Sequence, residues 1–435
     1  NEINFNSGIG IGLYRSNRNR VLHNKLDWNV RGYSHGFYSR GQDSAGILVY
    51  EQSNENTFAY NSATHSGDGF FLWAGQTTMD TGEGGCNKNQ IQWNDFSYAP
   101  TNGIEVTFSS NQIFKNKMFE CRYGIWGGYS WETGINNNEI QDCEFGIAIE
   151  HGQNNFINCN ELKNNQTGIK LWEREEQPKG WGYAQNKDVS SRDYDISGNN
   201  ILGSEKPLDI KLTKNVKEEL FNKNQISDSV EKTDWLCPSP FWKLDKIEDG
   251  INASLPEHHL RGRQYILVNE WGPYDFKYPV IWLREINENK YTFLLLGPQG
   301  NWKSVGGKGL KSFGPKTGTF PATIVAEKDP ESDEIALDLE FIGEEITNQF
   351  GKKYKRGTPF PFNFYRYQKT LNWEVNWYEF DDSTDPLKNY EAFKNLKNTP
   401  PQKSEMTTDL AYVWWQSPGN EINKDKFGTF AKTEV

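Results

Sequence analysis

The sequence has little cysteine, histidine or methionine, and it has no long apolar run. Its 435 residues include 5 Cys, 6 His and 3 Met. An odd, sparse set of cysteines without a Cys-x-x-Cys pair favours neither a disulfide framework nor a zinc ribbon. No apolar stretch approaches the roughly 20 residues that a spanning helix needs. We therefore expect no metal site of the zinc type and no membrane insertion.

The sequence also lacks an excess of positive charge and the short motifs of common cofactor enzymes. Its formal net charge is −11, and it has no block rich in Lys and Arg, which argues against nucleic acid as a partner. A P-loop, a dinucleotide fingerprint, a His-Glu-x-x-His motif and a Gly-x-Ser-x-Gly elbow are all missing from it. We expect no cofactor.

A low mean hydropathy of −0.81 is combined with many aromatic residues and glycines. The 16 Trp, 20 Tyr, 26 Phe and 40 Gly indicate a folded chain with many turns rather than disorder. The chain opens at Asn1 with neither Met nor a signal sequence. We expect a trimmed, monomeric piece of a secreted, periplasmic or cell-surface protein.

A repeat with a period of 22 residues is the strongest signal in the sequence. Three segments align without gaps: Asn111 to Gly124, Thr133 to Gly146 and Asn155 to Gly168. Each has Asn or Thr, then Ile two residues later, then Asn, and it ends in a Gly that is followed by Ile. Related units with insertions begin near residues 1, 19, 56 and 89 and recur near 196, which gives about eight to ten repeats.

Short strands separated by Asn or Gly corners bury a common core only when the repeats stack on one another. The repeat therefore predicts a parallel β-helix over residues 1–228, with Asn ladders at its corners. The pattern resembles the right-handed parallel β-helix of secreted polysaccharide lyases, glycoside hydrolases and periplasmic accessory proteins. The resemblance implies the fold and leaves the activity open, because this fold carries several chemistries.

After the repeat, we expect a linker over 229–262 that packs on the last repeat, and then an all-β second domain. Alternating apolar residues without helical periodicity predict an antiparallel β-sandwich over 263–400. Residues 401–435 form a C-terminal extension. Its segment from Ala411 to Trp415, with Pro418-Gly419 and the stretch after Phe427, resembles the opening strands of the glycan-binding domain named after anthrax protective antigen. This resemblance implies that the natural chain continues past Val435.

The strands that begin at the Gly-Ile positions are predicted to present an unusual outward face. The residues two and four positions after each Gly alternate large aromatic side chains with carboxylates. They read Leu48/Tyr50, Phe71/Trp73, Glu105/Thr107, Trp126/Gly128, Ala148/Glu150 and Lys170/Trp172. Sugar rings stack on aromatic faces while carboxylates accept bonds from hydroxyl groups. The face therefore predicts a carbohydrate groove.

Three insertions frame this outward face. They comprise residues 33–45, which include Asp43, and the segments 74–88 and 173–193. Long insertions in a repeat protein are typical of its binding side. We expect them to wall a cleft, although an insertion of this kind can also cover a neighbouring domain.

Glu105 and Glu150 are our first candidates for a catalytic acid and base. Strand geometry places their backbones about 12 Å apart, so their carboxyl groups could approach the roughly 6.5–9.5 Å of an inverting glycosidase. Asp68 is a substitute for either one. Its position before Gly69 equally suits a corner residue that binds backbone groups, whereas Glu105 lies within a strand and has no corner to cap.

Further residues are predicted to contact the substrate. Trp126 would form a sugar platform between the two glutamates. The other predicted substrate-binding residues are Tyr50, Trp73, Trp172, Lys170, His151, His65 and Asp43. The two histidines could orient a carboxylate or act as bases, but either could instead be an ordinary corner histidine.

The leading hypothesis is a glycoside hydrolase that acts on a polysaccharide or oligosaccharide. A lyase or epimerase acting on a uronate polymer would need Ca²⁺ or basic groups to neutralise the uronate, together with a base such as Lys170 or His151. The outward face is acidic and aromatic, so neutral or lightly charged glycans fit it better. The third hypothesis is a non-catalytic glycan-binding or adhesion module, which would not require Glu105.

Overall fold

A computed structural model of the chain describes residues 1–31, 44–177, 180–216, 223–228, 243–245, 247, 260–269, 272–332, 334–365, 367–377 and 402–412. The chain divides into two compact units, Asn1–Tyr274 and Asp275–Val435. Residues 263–274, which the sequence assigns to the second domain, belong to the first unit. In the described part of the chain, no helix is long and apolar enough to cross a membrane.

The first unit winds through three parallel sheets, and we call each full circuit a coil. The first sheet contains β1 (Ile11–Tyr14), β3 (Ala45–Tyr50), β5 (Asp68–Trp73), β7 (Asn102–Val106), β10 (Tyr123–Trp126), β13 (Phe145–Glu150), β16 (Thr167–Trp172) and β19 (Lys206–Lys211). The second contains β2 (Arg20–Leu22), β4 (Thr57–Ala59), β6 (Gln90–Gln92), β8 (Gln112–Phe114), β11 (Gly134–Asn136), β14 (Phe156–Asn158) and β17 (Asp195–Ser197). The third contains β9 (Lys117–Phe119), β12 (Glu139–Gln141), β15 (Glu161–Lys163), β18 (Asn200–Leu202) and β20 (Gln225–Ser227). The predicted parallel β-helix is confirmed.

The apolar positions of the repeat stack in register and form one continuous core. In the second sheet, Ile135 pairs with Ile113 on one side and Ile157 on the other. The equivalent positions in the other two sheets pair in the same way, and all of them are fully buried. A single coil could not cover its apolar side chains, so the stack is held by contacts between successive coils.

Asparagine ladders run along the interior of the corners. Asn138 accepts hydrogen bonds from the backbone N–H and the side-chain amide of Asn116, at 2.9 and 3.1 Å. It donates in turn to Asn160 and to the carbonyl oxygen of Ile113. The ladder satisfies backbone groups that would otherwise be buried without partners. Cys121 and Cys143 are buried free thiols.

The described residues of the segment that follows the last coil lie against earlier coils. Asp245 accepts a hydrogen bond from the hydroxyl of Thr57, and its backbone N–H donates to Gln90. Ile266 and Val268 pack against Val30 in the first coil. Most of the predicted linker, 229–262, lies outside the described residues, so its contact with the last repeat stays a prediction.

Short elements complete the first unit. They are the helices α1 (Gln76–Thr81) and α2 (Gly182–Asn186), a 3-10 turn (Arg263–Tyr265) and the hairpin of β21 (Val268–Asn269) and β22 (Gly272–Pro273). Both α helices come from the long insertions of the sequence.

The second unit consists of antiparallel sheets, as predicted. A four-stranded sheet has the order β23 (Val280–Asn287), β24 (Lys290–Leu296), β28 (Ala322–Lys328) and β26 (Leu310–Gly314). A five-stranded sheet has the order β27 (Thr317–Thr319), β25 (Asn301–Lys308), β29 (Glu334–Ile342) and β32 (Thr358–Pro359), with β33 (Phe362–Tyr365) also paired to β29. Hairpins pair β30 (Ile346–Thr347) with β31 (Lys353–Tyr354) and β34 (Tyr367–Trp377) with β35 (Gln402–Tyr412). Phe293 and Trp302, one from each of the larger sheets, are fully buried, so the architecture fits a sandwich.

Candidate functional site

The outward face of the first sheet has the predicted register. Glu105 pairs with Phe71 on the preceding coil and with Trp126 on the next. In a second column, Tyr50 pairs with Trp73, and farther along the face Glu150 pairs with Trp172. Aromatic and acidic side chains therefore follow each other along the axis.

A groove with a volume of about 710 Å³ lies on this face. Five of the predicted site residues line it, and they come from five successive strands of the first sheet. They are Tyr50, Trp73, Glu105, Trp126 and Glu150. The remaining lining residues are Leu48, Phe71, Gln76, Met79, Asp80, Thr107, Phe108, Gly128, Tyr129, Arg174, Gly180 and Trp181.

Two of the predicted insertions form the side wall of this groove. Met79 of α1 packs with Tyr183 of α2 around the rings of Phe108 and Tyr129. Those two rings stack 4.6 Å apart at the corner where the strands end. The wall therefore stands on the carboxyl-terminal side of the strands.

Glu105 is half-buried near the centre of the groove. Its carboxylate accepts a hydrogen bond of 2.8 Å from the side chain of Asn102, three residues earlier. The strand register places it between two aromatic residues, Phe71 and Trp126. Glu105 is therefore a partly exposed carboxylate on an otherwise aromatic floor.

Glu150 has a different environment, because its side chain is buried and ion-paired. One carboxylate oxygen accepts hydrogen bonds from Trp172 Nε1 at 2.9 Å and from Arg174 Nε at 2.5 Å. The carboxylate raises the pKa of the Arg174 guanidinium through this hydrogen bond. Glu150 thus fixes the first residues of the insertion to the sheet.

These hydrogen bonds draw the carboxyl groups of Glu105 and Glu150 apart. Glu105 leans toward the start of its own strand, whereas Glu150 leans toward the next coil. Because their backbones are about 12 Å apart by strand geometry, the side chains would have to turn toward each other to form an inverting pair.

Asp68 and His65 lie away from the groove. Asp68 is buried and accepts hydrogen bonds from the backbone N–H and the hydroxyl of neighbouring residues, Asn102 and Thr101. His65 is fully buried at a corner, where its ring stacks on Trp28 and packs at a tilt against Tyr98. The structure therefore gives both residues the corner environment that the sequence left as the alternative.

His151 is buried behind the groove wall. Its Nδ1 lies 2.6 Å from the carbonyl oxygen of Val189, and its Nε2 accepts a hydrogen bond from the backbone N–H of Arg174. Its ring stacks on Tyr129 at 4.8 Å. Burial lowers the pKa of His151.

Lys170 and Trp172 lie beside the groove on a later coil. The ammonium group of Lys170 is 4.7 Å from the ring centres of both Phe145 and Trp172. Trp172 also contacts Trp126, with ring centres 5.4 Å apart. Asp43 lies outside the described residues.

Several groove residues were not predicted from the sequence, namely Asp80, Tyr129, Arg174 and Trp181. All except Tyr129 come from the two insertions. The sequence predicts that these insertions form walls, but it does not show which of their side chains face the sheet. Tyr129 follows a strand at a corner with positive φ, and only its stacking between Phe108 and His151 brings it to the groove.

Comparison with known protein families supports the repeat assignment. Residues 40–179 and 81–229 match the family model described as "Right handed beta helix region". The first unit is a right-handed parallel β-helix. A search of curated protein sequences found no match.

Three solved structures are similar to the chain at low sequence identity. The Dettilon tailspike protein gp208 is 12% identical, with a TM-score of 0.35, over 87% of this chain and 57% of its own. The Agl-KA catalytic domain is 13% identical, with a TM-score of 0.23, and the match covers 45% of this chain and 38% of that domain. The Streptococcus pneumoniae surface protein and adhesin PfbA is 9% identical, with a TM-score of 0.21, and the match covers 50% of this chain and 62% of the adhesin structure. This chain thus spans little more than half of the tailspike protein.

The described lining of the β-helix groove carries a net negative charge. It includes three acidic residues, Asp80, Glu105 and Glu150, and one basic residue, Arg174, which is paired with Glu150. Among the described residues, no group of three or more His, Cys, Asp or Glu side chains is arranged to hold a metal ion.

Proposed function

We propose that the β-helix groove binds a neutral polysaccharide and hydrolyses it, with Glu105 as the central catalytic carboxylate. One observation carries the proposal: Glu105 is a half-buried acid in the middle of a run of outward aromatic residues. Aromatic rings provide stacking surface for sugar rings, and a positioned carboxyl group can transfer a proton to the glycosidic oxygen.

The length of the aromatic run favours a polymer that lies along the helix axis. Outward aromatic residues extend from Tyr14 on β1 to Trp172 on β16, and Glu105 is on the fourth of these seven strands. At about 4.8 Å per coil the run is about 29 Å long. A chain bound along it would present an internal linkage to Glu105.

The charge of the groove favours a neutral glycan over a uronate. A polyanion would meet three carboxylates there, and Arg174, the one cation among the described lining residues, is already paired with Glu150. Lys170, the base that a lyase could use, lies beside the groove, with its ammonium group over two aromatic rings. Like charges at close range lower affinity.

The second carboxyl group that hydrolysis needs is either Glu150 or Asp80. Glu150 is fixed by Arg174, whereas Asp80 is exposed on α1 and accepts a hydrogen bond from Gln76. Secretion or display at a cell surface belongs to the same proposal, because it would bring the protein to an extracellular polysaccharide. Action as a monomer is a separate part of the proposal.

A glycan-binding module without catalysis is the second candidate. The observation that favours it is the hydrogen bonding that draws Glu105 and Glu150 apart. Such a module would use the same aromatic run and would lose little affinity when Glu105 became Gln.

A screen of the purified chain against neutral and uronic polysaccharides tests the proposal. Reducing ends and the ultraviolet absorbance of unsaturated products are followed together. Release of reducing ends alone, abolished in Glu105→Gln and retained in Glu144→Gln, is the expected result, since Glu144 is ion-paired with Arg122 outside the groove. Unsaturated products would indicate a lyase, and binding without either product would indicate a binding module.

A further inference from the structure

His151 connects both ends of the insertion that forms one part of the groove wall. Its Nε2 accepts a hydrogen bond of 2.9 Å from the backbone N–H of Arg174, a residue near the start of the insertion. Its Nδ1 lies 2.6 Å from the carbonyl oxygen of Val189, near the end. Between these two points lie Gly180 and Trp181, which line the groove.

The partners of His151 specify a single protonation state. A carbonyl oxygen only accepts hydrogen bonds, so Nδ1 must carry the proton that is shared with Val189. A backbone N–H only donates, so Nε2 must be unprotonated to accept from Arg174. A proton on Nε2 would place two donors against each other and break that bond.

The neighbouring charges do not stabilise a protonated ring enough to offset burial. Glu150 and Glu173 favour the charged form, Arg174 opposes it, and burial is the largest influence on the ring. Glu150 is itself paired with Arg174. The ring also stacks on Tyr129, whose hydroxyl donates to Gln177, and Gln177 in turn contacts His151 Nε2 at 2.8 Å.

We propose that His151 is a positioning residue whose neutral form holds the 173–193 insertion against the β-helix. Protonation of His151 releases the Arg174 backbone, loosens the Arg174–Glu150 pair and lets the groove wall move. The release itself does not depend on the groove's ligand. Its consequence for substrate binding rests on the proposed function.

Hydrogen exchange measured by mass spectrometry between about pH 8 and pH 5, the range in which histidines titrate, tests this inference without any ligand. After correction for intrinsic exchange rates, protection of the peptide covering residues 173–177 should fall about tenfold per pH unit below the His151 pKa. Peptides covering β11 and β12, which belong to the core sheets and not to the groove wall, serve as the internal control and should keep their protection.

His151→Gln supplies the matched variant, because its amide can still accept from Arg174 and does not titrate in this range. Protection in this variant should be independent of pH. Constant protection of residues 173–177 in the wild-type chain, or the same pH dependence in His151→Gln, would overturn the proposal. If the variant does not fold, the pH dependence of protection in the wild-type chain alone decides whether His151 holds the insertion. Neither hydrogen-exchange result bears on whether the groove hydrolyses a glycan.

Discussion

Gly182 of α2 lies against the carbonyl oxygen of Asp80 in α1, so closely that a Cβ on Gly182 would be 1.6 Å from that oxygen. The contact involves backbone and leaves no flexible side chain to yield. Glycine is therefore required here for steric reasons alone. The two short helices of the groove wall are joined at this point.

We expect Gly182→Ala to separate α1 from α2 and open the groove. Residues 182–187 should lose protection in hydrogen exchange, while the melting temperature of the β-helix core changes little, because the core lies elsewhere. The KM for the glycan identified by the screen should rise. Gln185→Ala, on the exposed side of the same helix, is the control; an equal loss of protection in it would contradict the role of the contact.

Trp126 is expected to contribute binding rather than chemistry. Trp126→Ala should weaken glycan affinity about tenfold, the equivalent of about 1.4 kcal/mol, with a smaller effect on kcat. Trp126→Phe keeps an aromatic face and should recover most of the affinity. Affinity is measured by calorimetry with the glycan found in the screen. Unchanged affinity in Trp126→Ala would show that Trp126 does not act as a sugar-stacking platform.

The fold could be predicted from sequence because its information is local and repeated. Asn116, Asn138 and Asn160 recur with the same spacing as the apolar positions, so one repeat predicts the next. The register of Glu105 and Trp126 followed from the same spacing. The directions of the side chains did not follow from it, because they depend on individual hydrogen bonds that the repeat does not encode. Asn102, in the same strand, holds Glu105, and Arg174 from the insertion holds Glu150.

The environments of the corner residues could not be predicted from the repeat either. His65 and His151 look alike in sequence, since each lies at the boundary of a first-sheet strand. His65 packs between two aromatic rings, whereas His151 binds the backbone of an insertion. The difference comes from the segments packed over each corner, which the 22-residue repeat does not encode.

Asn138 is expected to be essential for stability. Asn138→Ala would leave the backbone N–H of Asn116, its side-chain amide and the carbonyl oxygen of Ile113 without their partner. Each unsatisfied buried group costs about 1–3 kcal/mol, so we expect a loss of about 3 kcal/mol or more. Urea unfolding monitored by fluorescence measures it. Gln141→Ala, which removes an exposed bond to Asp142, should cost little; equal losses would contradict the ladder's importance.

Stability should depend on pH through His151. Its pKa is lowered in the folded protein by burial, so the unfolded chain binds the proton more readily. The stabilisation is therefore complete above the unfolded pKa of about 6.5, and it is lost as pH falls toward the lowered, folded-state pKa. The slope is at most about 1.4 kcal/mol per pH unit. Urea unfolding at several pH values should show this decline in wild type and a shallower one in His151→Gln; parallel curves would contradict it.

The identity of the second catalytic carboxylate can be decided by comparing Glu150→Gln with Asp80→Asn. If hydrolysis uses Glu105 with one of these groups, the variant of the true partner should lose about 10²- to 10⁴-fold in kcat. Glu150→Gln also leaves Arg174 without its anion, so its melting temperature and the protection of residues 173–177 must be measured alongside. A loss of kcat with the wall intact assigns Glu150 to catalysis, whereas a loss that follows wall movement assigns it to positioning. If both variants turn over normally while Glu105→Gln is inactive, the paired-carboxylate mechanism is wrong.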